Sequence, residues 1–285
     1  MAIDASTRPR QLIGDELWEL LEPLIPPPPP APRGRTGRPR HDDRAVLEGI
    51  VFVLSTGIGW AKSPARGRYP HPAELGYGSG WTCWRRLRQW QQAGVWDELH
   101  GAVLDRLGQQ GLLDWSRACI DSVSVRAKKG GALTGPNPTD RGKLGTKYHL
   151  LVTADGLPLN VVLSGANRHD SMLLAPLLDT QRAVKGVGRG RPRRRPAKLH
   201  ADKGYDNRRC RTYLRRRGIT ARIARIGIES SQRLGRYRWV VERTIGWLLS
   251  YKRLALRYDS SGRTITALAR LAVTLICARR LPTTN

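Results

Sequence analysis

Residues 117–165 constrain the fold more than any other part of the chain. "RACIDSVSVRA" (117–127) is rich in β-branched residues and alternates in polarity, which predicts a strand. After the glycine-rich "KKGGALTGPNPTDRGKLGTK" come "YHLLVTAD" and "PLNVVLSGA", joined by Asp155-Gly156. An Asp-Gly pair supplies the positive φ that a tight hairpin needs, so these are two further strands in antiparallel register. The pattern then alternates. "DSMLLAPLLDTQRAV" (170–184) reads as a helix capped by Asp170, "AKLHADKGY" as a fourth strand, and "NRRCRTYLRRRG" as a helix ended by Gly218. "ITARIAR" is a fifth strand, and two long helices, about 230–256 and 262–281, follow. Strands with a hairpin, then alternating helix and strand, predict an α/β fold with a mixed sheet.

The residues before 117 carry a different pattern. "LIGDELWELLEPLI" (12–25) has helical apolar spacing with Asp15 as its expected N-cap, and "DDRAVLEGIVFVLSTGI" (42–58) repeats it with Asp42 or Asp43. Between them, "PPPPPAPRGRTGRPRH" (26–41) forbids helix and carries four arginines and a histidine. It reads as a stiff polyproline linker, as a basic tether along a phosphate backbone, or as both. Residues 60–80 are a Pro- and Gly-rich loop. "WTCWRRLRQWQQAGVWDELHGAVLDRL" then predicts two helices broken at Gly94, with Trp84, Leu87 and Trp90 on one face and Arg85, Arg86 and Arg88 on the others. This is either a helix-turn-helix-like DNA reader or a helical bundle with a solvated arginine face. The expected division is therefore residues 1–115, helical and DNA-binding, and residues 116–285, catalytic.

Charge decides the class of partner. Fifty Lys and Arg against 23 Asp and Glu give a formal +27, too large an excess to neutralise internally. A polyanion is expected, with nucleic acid ahead of a membrane surface, since no basic amphipathic helix or lipidation signal is present. No apolar segment reaches the roughly 18–20 residues of a membrane span, and the first residues lack signal-peptide order, so a cytoplasmic, nucleoid-associated protein is expected. The four cysteines are scattered without a C-x-x-C pair, so neither a zinc module nor a disulfide framework is expected.

Three carboxylates stand out against this basic background. Asp121 lies mid-strand in "CIDSVSV", Asp202 ends the fourth strand in "LHADKGYD", and Glu242 lies inside the helix "RYRWVVERTIGWLL", one turn after Arg238. Strand, strand end and helix can converge at one edge of an α/β sheet. Three such acids can hold Mg²⁺, which takes hard oxygen ligands, and a pair of Mg²⁺ ions can catalyse phosphodiester chemistry. Asp206 reads instead as a cap for the helix starting near Asn207.

Together these motifs resemble the bacterial insertion-sequence transposases of the DDE class, closest to insertion-sequence family five. The resemblance rests on "IDSVSVRAKKGG", "ADKGYD" and "RYRWVVERTIGWL", and N-terminally on "DELWELLEPLIP", "GRPRHDDRAVLEGIVFVL" and "YGSGWTCWRRLRQWQQAGVWDELH". Relatives place a Tyr where this chain has Gly235 and a Lys where it has Leu249, with Tyr237 and Lys252 nearby. The loop 60–80 is also longer than their usual link. The resemblance implies an RNase H-like catalytic domain behind an N-terminal helix-turn-helix-like domain, with Asp121, Asp202 and Glu242 as catalytic metal ligands for Mg²⁺, or Mn²⁺ in its place. It implies a transposase, a homo-oligomer and expected dimer on DNA, that binds terminal inverted repeats and target DNA, hydrolyses phosphodiesters and joins the freed 3′-OH to the target. The expected DNA contacts are Arg85, Arg86, Arg88, Arg189, Arg191, Arg193, Arg194, Arg195, Lys203, Arg238, Arg243 and Lys252. Two other functions fit the same residues: an inactive DNA-binding regulator of the element, and a repair or junction nuclease on the same fold.

Overall fold

The structure, a computed structural model, describes residues 11–28, 39–61, 70–228 and 231–282, with backbone alone for 231–236. Parts of the expected linker (29–38) and of the long loop (62–69) lie outside the described residues. Among the described residues, four α-helices precede the first strand: α1 (Asp15–Leu21), α2 (Asp43–Thr56), α3 (Gly80–Gln92) and α4 (Val95–Gln109). Asp42 caps α2 by accepting the Ala45 N–H at 2.7 Å, and Ser79 caps α3 through the Thr82 N–H at 3.1 Å. Asp15 is not a cap. Gly14 holds that position, and Asp15 lies inside the first turn facing Arg44. Gly94, at φ +76°, separates α3 from α4 where the sequence predicts the break, in a conformation that a β-carbon disfavours.

Among the described residues, six strands form one sheet: β1 (Ala118–Arg126), β2 (Gly135–Pro136), β3 (Leu144–Thr153), β4 (Pro158–Gly165), β5 (Lys198–Ala201) and β6 (Thr220–Ile223). β4, β3 and β1 are antiparallel neighbours, with Ala118 opposite Thr153 and Arg126 opposite Gly145. β5 and β6 then add in parallel on the other side of β1, and the two-residue β2 pairs only with the start of β3. Three antiparallel strands extended by parallel ones make the mixed sheet of an RNase H-like domain.

The interleaved helices are α5 (Leu174–Asp179), α6 (Arg208–Arg216), α7 (Ser231–Ser250), α8 (Lys252–Ala255) and α9 (Gly262–Ala278). Two differ from expectation. The segment from Asp170 opens with a 3-10 turn capped by His169, so the α-helix is only six residues long. The expected 230–256 helix breaks at Tyr251, which is extended at ψ 98°. Beyond the break Arg253 turns inward onto Asp259, a buried pair at 2.8 Å.

α9 joins the two halves of the chain. It packs against α3 and α4 on one side and against β4 on the other. Arg270 of α9 pairs with Asp97 of α4 at 2.7 Å and donates to Asn160 of β4 at 2.9 Å. The apolar core is correspondingly continuous from Leu17 and Leu54 through Leu99 to Leu150 and Leu271. The N-terminal helices therefore bury their inner faces against a helix from the far end of the chain.

His100 sits at this junction, fully buried, between the Leu159 carbonyl (3.1 Å) and the Thr274 hydroxyl (3.2 Å). Burial, and then the nearby Arg270 charge, push it down to about 3. An unfolded histidine titrates near 6.5, so below that pH the unfolded chain takes up a proton that the native chain refuses. The contribution is complete above about pH 6.5 and shrinks as pH falls toward 3. At pH 5 the loss is about 2 kcal/mol for this one group. Urea midpoints at pH 7.5 and 5 should differ by less in His100→Gln than in the parent. An equal drop in both proteins would remove His100 as its source.

Candidate active site

β1 carries Asp121 beside β5, and Asp202 follows the last residue of β5. The parallel pairing of β1 with β5 thus brings together two acids that are 81 residues apart in sequence. The Asp121 carboxylate is four-fifths buried. It accepts the Ser122 N–H at 2.8 Å on one oxygen and the Arg238 guanidinium at 2.7 Å on the other. Burial pushes its pKa above the ordinary carboxylate range and the Asp202 charge adds to the push, while Arg238 and the Ser122 N–H oppose it.

Asp202 occupies the N-cap position of a 3-10 turn (Lys203–Tyr205) yet makes no side-chain cap bond. Its Oδ1 is buried and has no hydrogen-bond partner. A β-carbon at Gly204 would lie 3.1 Å from that oxygen, so the glycine of "DKGYD" leaves the carboxylate room to face the site. An anionic oxygen buried without a donor is costly, and a cation is the natural partner for one beside a second carboxylate. On that ground the two aspartates fit a divalent metal.

Glu242 does not join them in this structure. It is exposed on α7, one turn past Arg238, and among the described residues no three acids, histidines or cysteines are grouped closely enough to share one ion. α7 instead contributes Arg238, the cation that faces Asp121.

The structure adds neighbours that the sequence reading did not assign to the site. Asp170, read as a helix cap, accepts the Ser122 hydroxyl at 2.7 Å and pairs with Lys147 at 2.9 Å. Tyr205 is 1% exposed, and its hydroxyl has no partner. Burial, together with the charges of Asp170, Asp121 and Asp202, pushes that hydroxyl well above the usual tyrosine range. The sequence marked Asp170 only as a helix cap, and Tyr205 only by its place within "DKGYD". Asp206 does not cap α6; Asn207 does, accepting the Cys210 N–H at 2.9 Å. Asp206 instead pairs with Arg211 at 2.7 Å and accepts the Ile226 N–H at 2.9 Å, tying the start of α6 to the turn after β6.

Several of the expected DNA contacts are engaged by other groups of the protein, Arg194 and Arg195 among them although both are exposed. Arg85, Arg189, Arg191 and Arg193 are exposed. Arg88 lies over the Trp84 ring at 4.6 Å. Arg86 is buried, its Nε 3.1 Å from Asp43. Arg194 and Arg195 hold their own loop, donating to the Gln181 carbonyl at 2.7 Å and the Arg217 carbonyl at 2.6 Å. Arg243 is held between the Trp239 and Trp247 rings, 4.6 Å from each, and donates to the Asp155 carbonyl. Lys203 sits half-buried in the turn after Asp202, and Lys252 is exposed at the start of α8.

Two protein families match this chain. Residues 13–100 match a putative transposase of IS4/5 family, and residues 116–277 match the transposase DDE domain. Two curated proteins from Burkholderia cepacia are similar. The insertion element IS402 uncharacterized 16.2 kDa protein is 49% identical over 129 residues, 45% of this chain and 82% of its own length. The putative transposase for insertion sequence element IS402 is 45% identical over 144 residues, 50% of this chain and 68% of its own length.

Proposed function

Because the chain belongs to the DDE transposases of IS4/5 type, we propose that it cuts DNA at the ends of an insertion element and joins the freed 3′-OH to target DNA. The observation that carries the catalytic assignment is the buried, unpartnered Oδ1 of Asp202 beside the half-neutralised carboxylate of Asp121. Proteins of this family generally use divalent metal ions. In this reading Asp121 and Asp202 hold the cation, and α7 supplies Glu242 as a third carboxylate when DNA is bound. When bound, Mg²⁺ supplies positive charge at the scissile phosphate and allows water to act as a nucleophile at neutral pH.

The chain's own groups do the rest. Water adds to phosphorus, the P–O3′ bond breaks, and the 3′-oxygen takes a proton. In the second step that 3′-OH attacks a target phosphodiester, forming a new P–O bond and releasing the target's own 3′-oxygen. Arg238, paired with Asp121, would also donate to a phosphate oxygen, a charge-assisted bond that orients the strand. The bonds of Asp170 to Lys147 and Ser122 hold the polar surroundings of Asp121 in place, and the Tyr205 hydroxyl adds a further polar group there. Exposed Arg85 and half-buried Arg88 on α3, and exposed Arg189, Arg191 and Arg193 in the loop before β5, supply charge for the duplex.

Two measurements test this reading. Mg²⁺ or Mn²⁺ should raise the melting temperature of the DNA-free protein, and the rise should vanish in an Asp121→Asn, Asp202→Asn double variant. With Mg²⁺ the parent should nick a labelled duplex carrying the repeats that flank the gene and leave a scrambled duplex intact. Equal cutting of both duplexes would favour the general nuclease. Binding without cutting would favour the inactive regulator.

A further inference from the structure

The surface formed by α6 and the edge strand β6 has no place in the activity so far described. Residues 207–228 contain eight arginines and no acid. Arg211 and Arg217 are neutralised by Asp206 and Asp179, at 2.7 and 2.5 Å, and Arg209 reaches back to Ser171 at 3.4 Å. Arg208, Arg215, Arg216, Arg222 and Arg225 are all exposed, and none has a carboxylate partner among the described residues. At several other exposed positions the arginine is paired. Arg44, Arg182 and Arg40 are each met by an acid, Asp15, Glu98 and Asp43. A merely solvated face would mix signs in the same way, because like charges crowded together repel. This face does not.

Its position gives the charge a direction. β6 runs parallel to β5, with Ala201 opposite Ile223, so the C-terminal end of β6 lies at the same sheet edge as Asp202. Arg225 stands just past that end, and Arg222 lies further back along the strand. Arg215 and Arg225 line one groove with Gly218 and Thr220, of about 570 Å³. The Asp206 bonds to Arg211 and to the Ile226 N–H fix helix and strand to each other at the acid end. From Arg222 to Arg225 is about 10 Å at roughly 3.3 Å per residue. Such a span faces about three phosphates of one strand at ~3.4 Å of duplex axis each.

We infer that the α6–β6 face is a phosphate-binding track that holds the DNA strand as it leads away from the Asp121–Asp202 site. The inference rests on the reading of the protein as a DNA transposase and names a surface that this reading leaves out. The second acid of "DKGYD" then has its own purpose. Asp202 faces the reacting phosphate, while Asp206 pins the element that carries the strand onward.

The test uses the full-length protein with Arg215, Arg216, Arg222 and Arg225 all changed to Gln. A second variant, with Arg106, Lys185, Arg263 and Arg280 changed to Gln, removes the same charge from other exposed positions. Affinity for an element-end duplex and for an unrelated duplex is measured over a salt series. Each phosphate contact contributes about 0.9 to the slope of log affinity against log salt, so the track variant should be shallower by about two to four units. Because phosphates carry no sequence, the loss should be equal on both duplexes, and the second variant should keep the parental slope. A parental slope in the track variant, an equal loss in the second variant, or a loss confined to the element-end duplex would each overturn the track. If the parent binds neither duplex, the transposase reading fails instead. Should the fourfold variant melt below the parent, the pairs Arg215→Gln with Arg225→Gln and Arg216→Gln with Arg222→Gln carry the same test, each with half the change in slope.

Discussion

Asp202→Asn should lose element-end cleavage by more than about a hundredfold, a factor that even an outer partner of a metal ligand can be worth. The substitution keeps the side chain's size but replaces an anionic oxygen with a neutral amide, a poorer ligand for a hard cation. The site tolerates the exchange sterically, because Gly204 leaves the room and no existing hydrogen bond of Asp202 is broken. Affinity for DNA should hold or rise slightly, since the variant carries one more net positive charge. Asp121→Asn should behave alike in cleavage, although it also weakens the contact to Arg238 at 2.7 Å. Glu98→Gln, at an exposed ion pair with Arg182, serves as the active control. Glu242→Gln is the informative third variant. A loss of cleavage with binding retained would mean that α7 delivers Glu242 to the site in the DNA complex. A wild-type rate would mean that the two aspartates hold the metal without it. An Asp202→Asn protein cutting at the parental rate would sink the catalytic assignment altogether.

The largest expected effect on stability is at Asp259. Its carboxylate accepts two bonds from Arg253, at 2.8 and 3.0 Å, and a third from the Trp60 indole at 3.0 Å, with both charged side chains over nine-tenths buried. Asp259→Ala leaves a buried guanidinium and an indole N–H unpaired, and removing one partner of such a pair costs about 3–5 kcal/mol. Arg253 also donates to the Ile58 carbonyl at 2.8 Å, so the damage extends to the end of α2. The exposed pair Arg182–Glu98 is the comparison: its loss should cost less than about 1 kcal/mol, because solvent screens both charges. Urea melts of the two variants should differ by several kcal/mol. Equal midpoints would show that the Asp259 cluster adds no more than a surface pair does.

Much of the fold was legible because its signals are local. Alternation in "CIDSVSV", the Asp155-Gly156 turn, the Gly94 break and the Asp42 cap each depend on a few adjacent residues, and each stands where the sequence placed it. The class of partner was legible too, since a net charge needs only counting. The strand and strand-end positions of Asp121 and Asp202 were legible in the same local way, but the parallel pairing and register of β1 with β5 that set them side by side come from the structure.

What only the tertiary structure decided is which charges are spent inside the protein. By sequence Arg86, Arg194 and Arg195 are equivalent to any other arginine in their runs. Folded, one is buried on Asp43 and two brace their own loop. Arg243 is stacked between two tryptophans, Asp206 is a brace rather than a cap, and Asp170 backs the site through Ser122. The placement of Glu242 apart from the aspartates is likewise a matter of where α7 lies against the sheet. The reason is common to all of them. A residue's type sets the charge it can carry, but its partner can come from an element 117 residues away, as Arg238 does for Asp121, and packing alone determines whether that partner arrives.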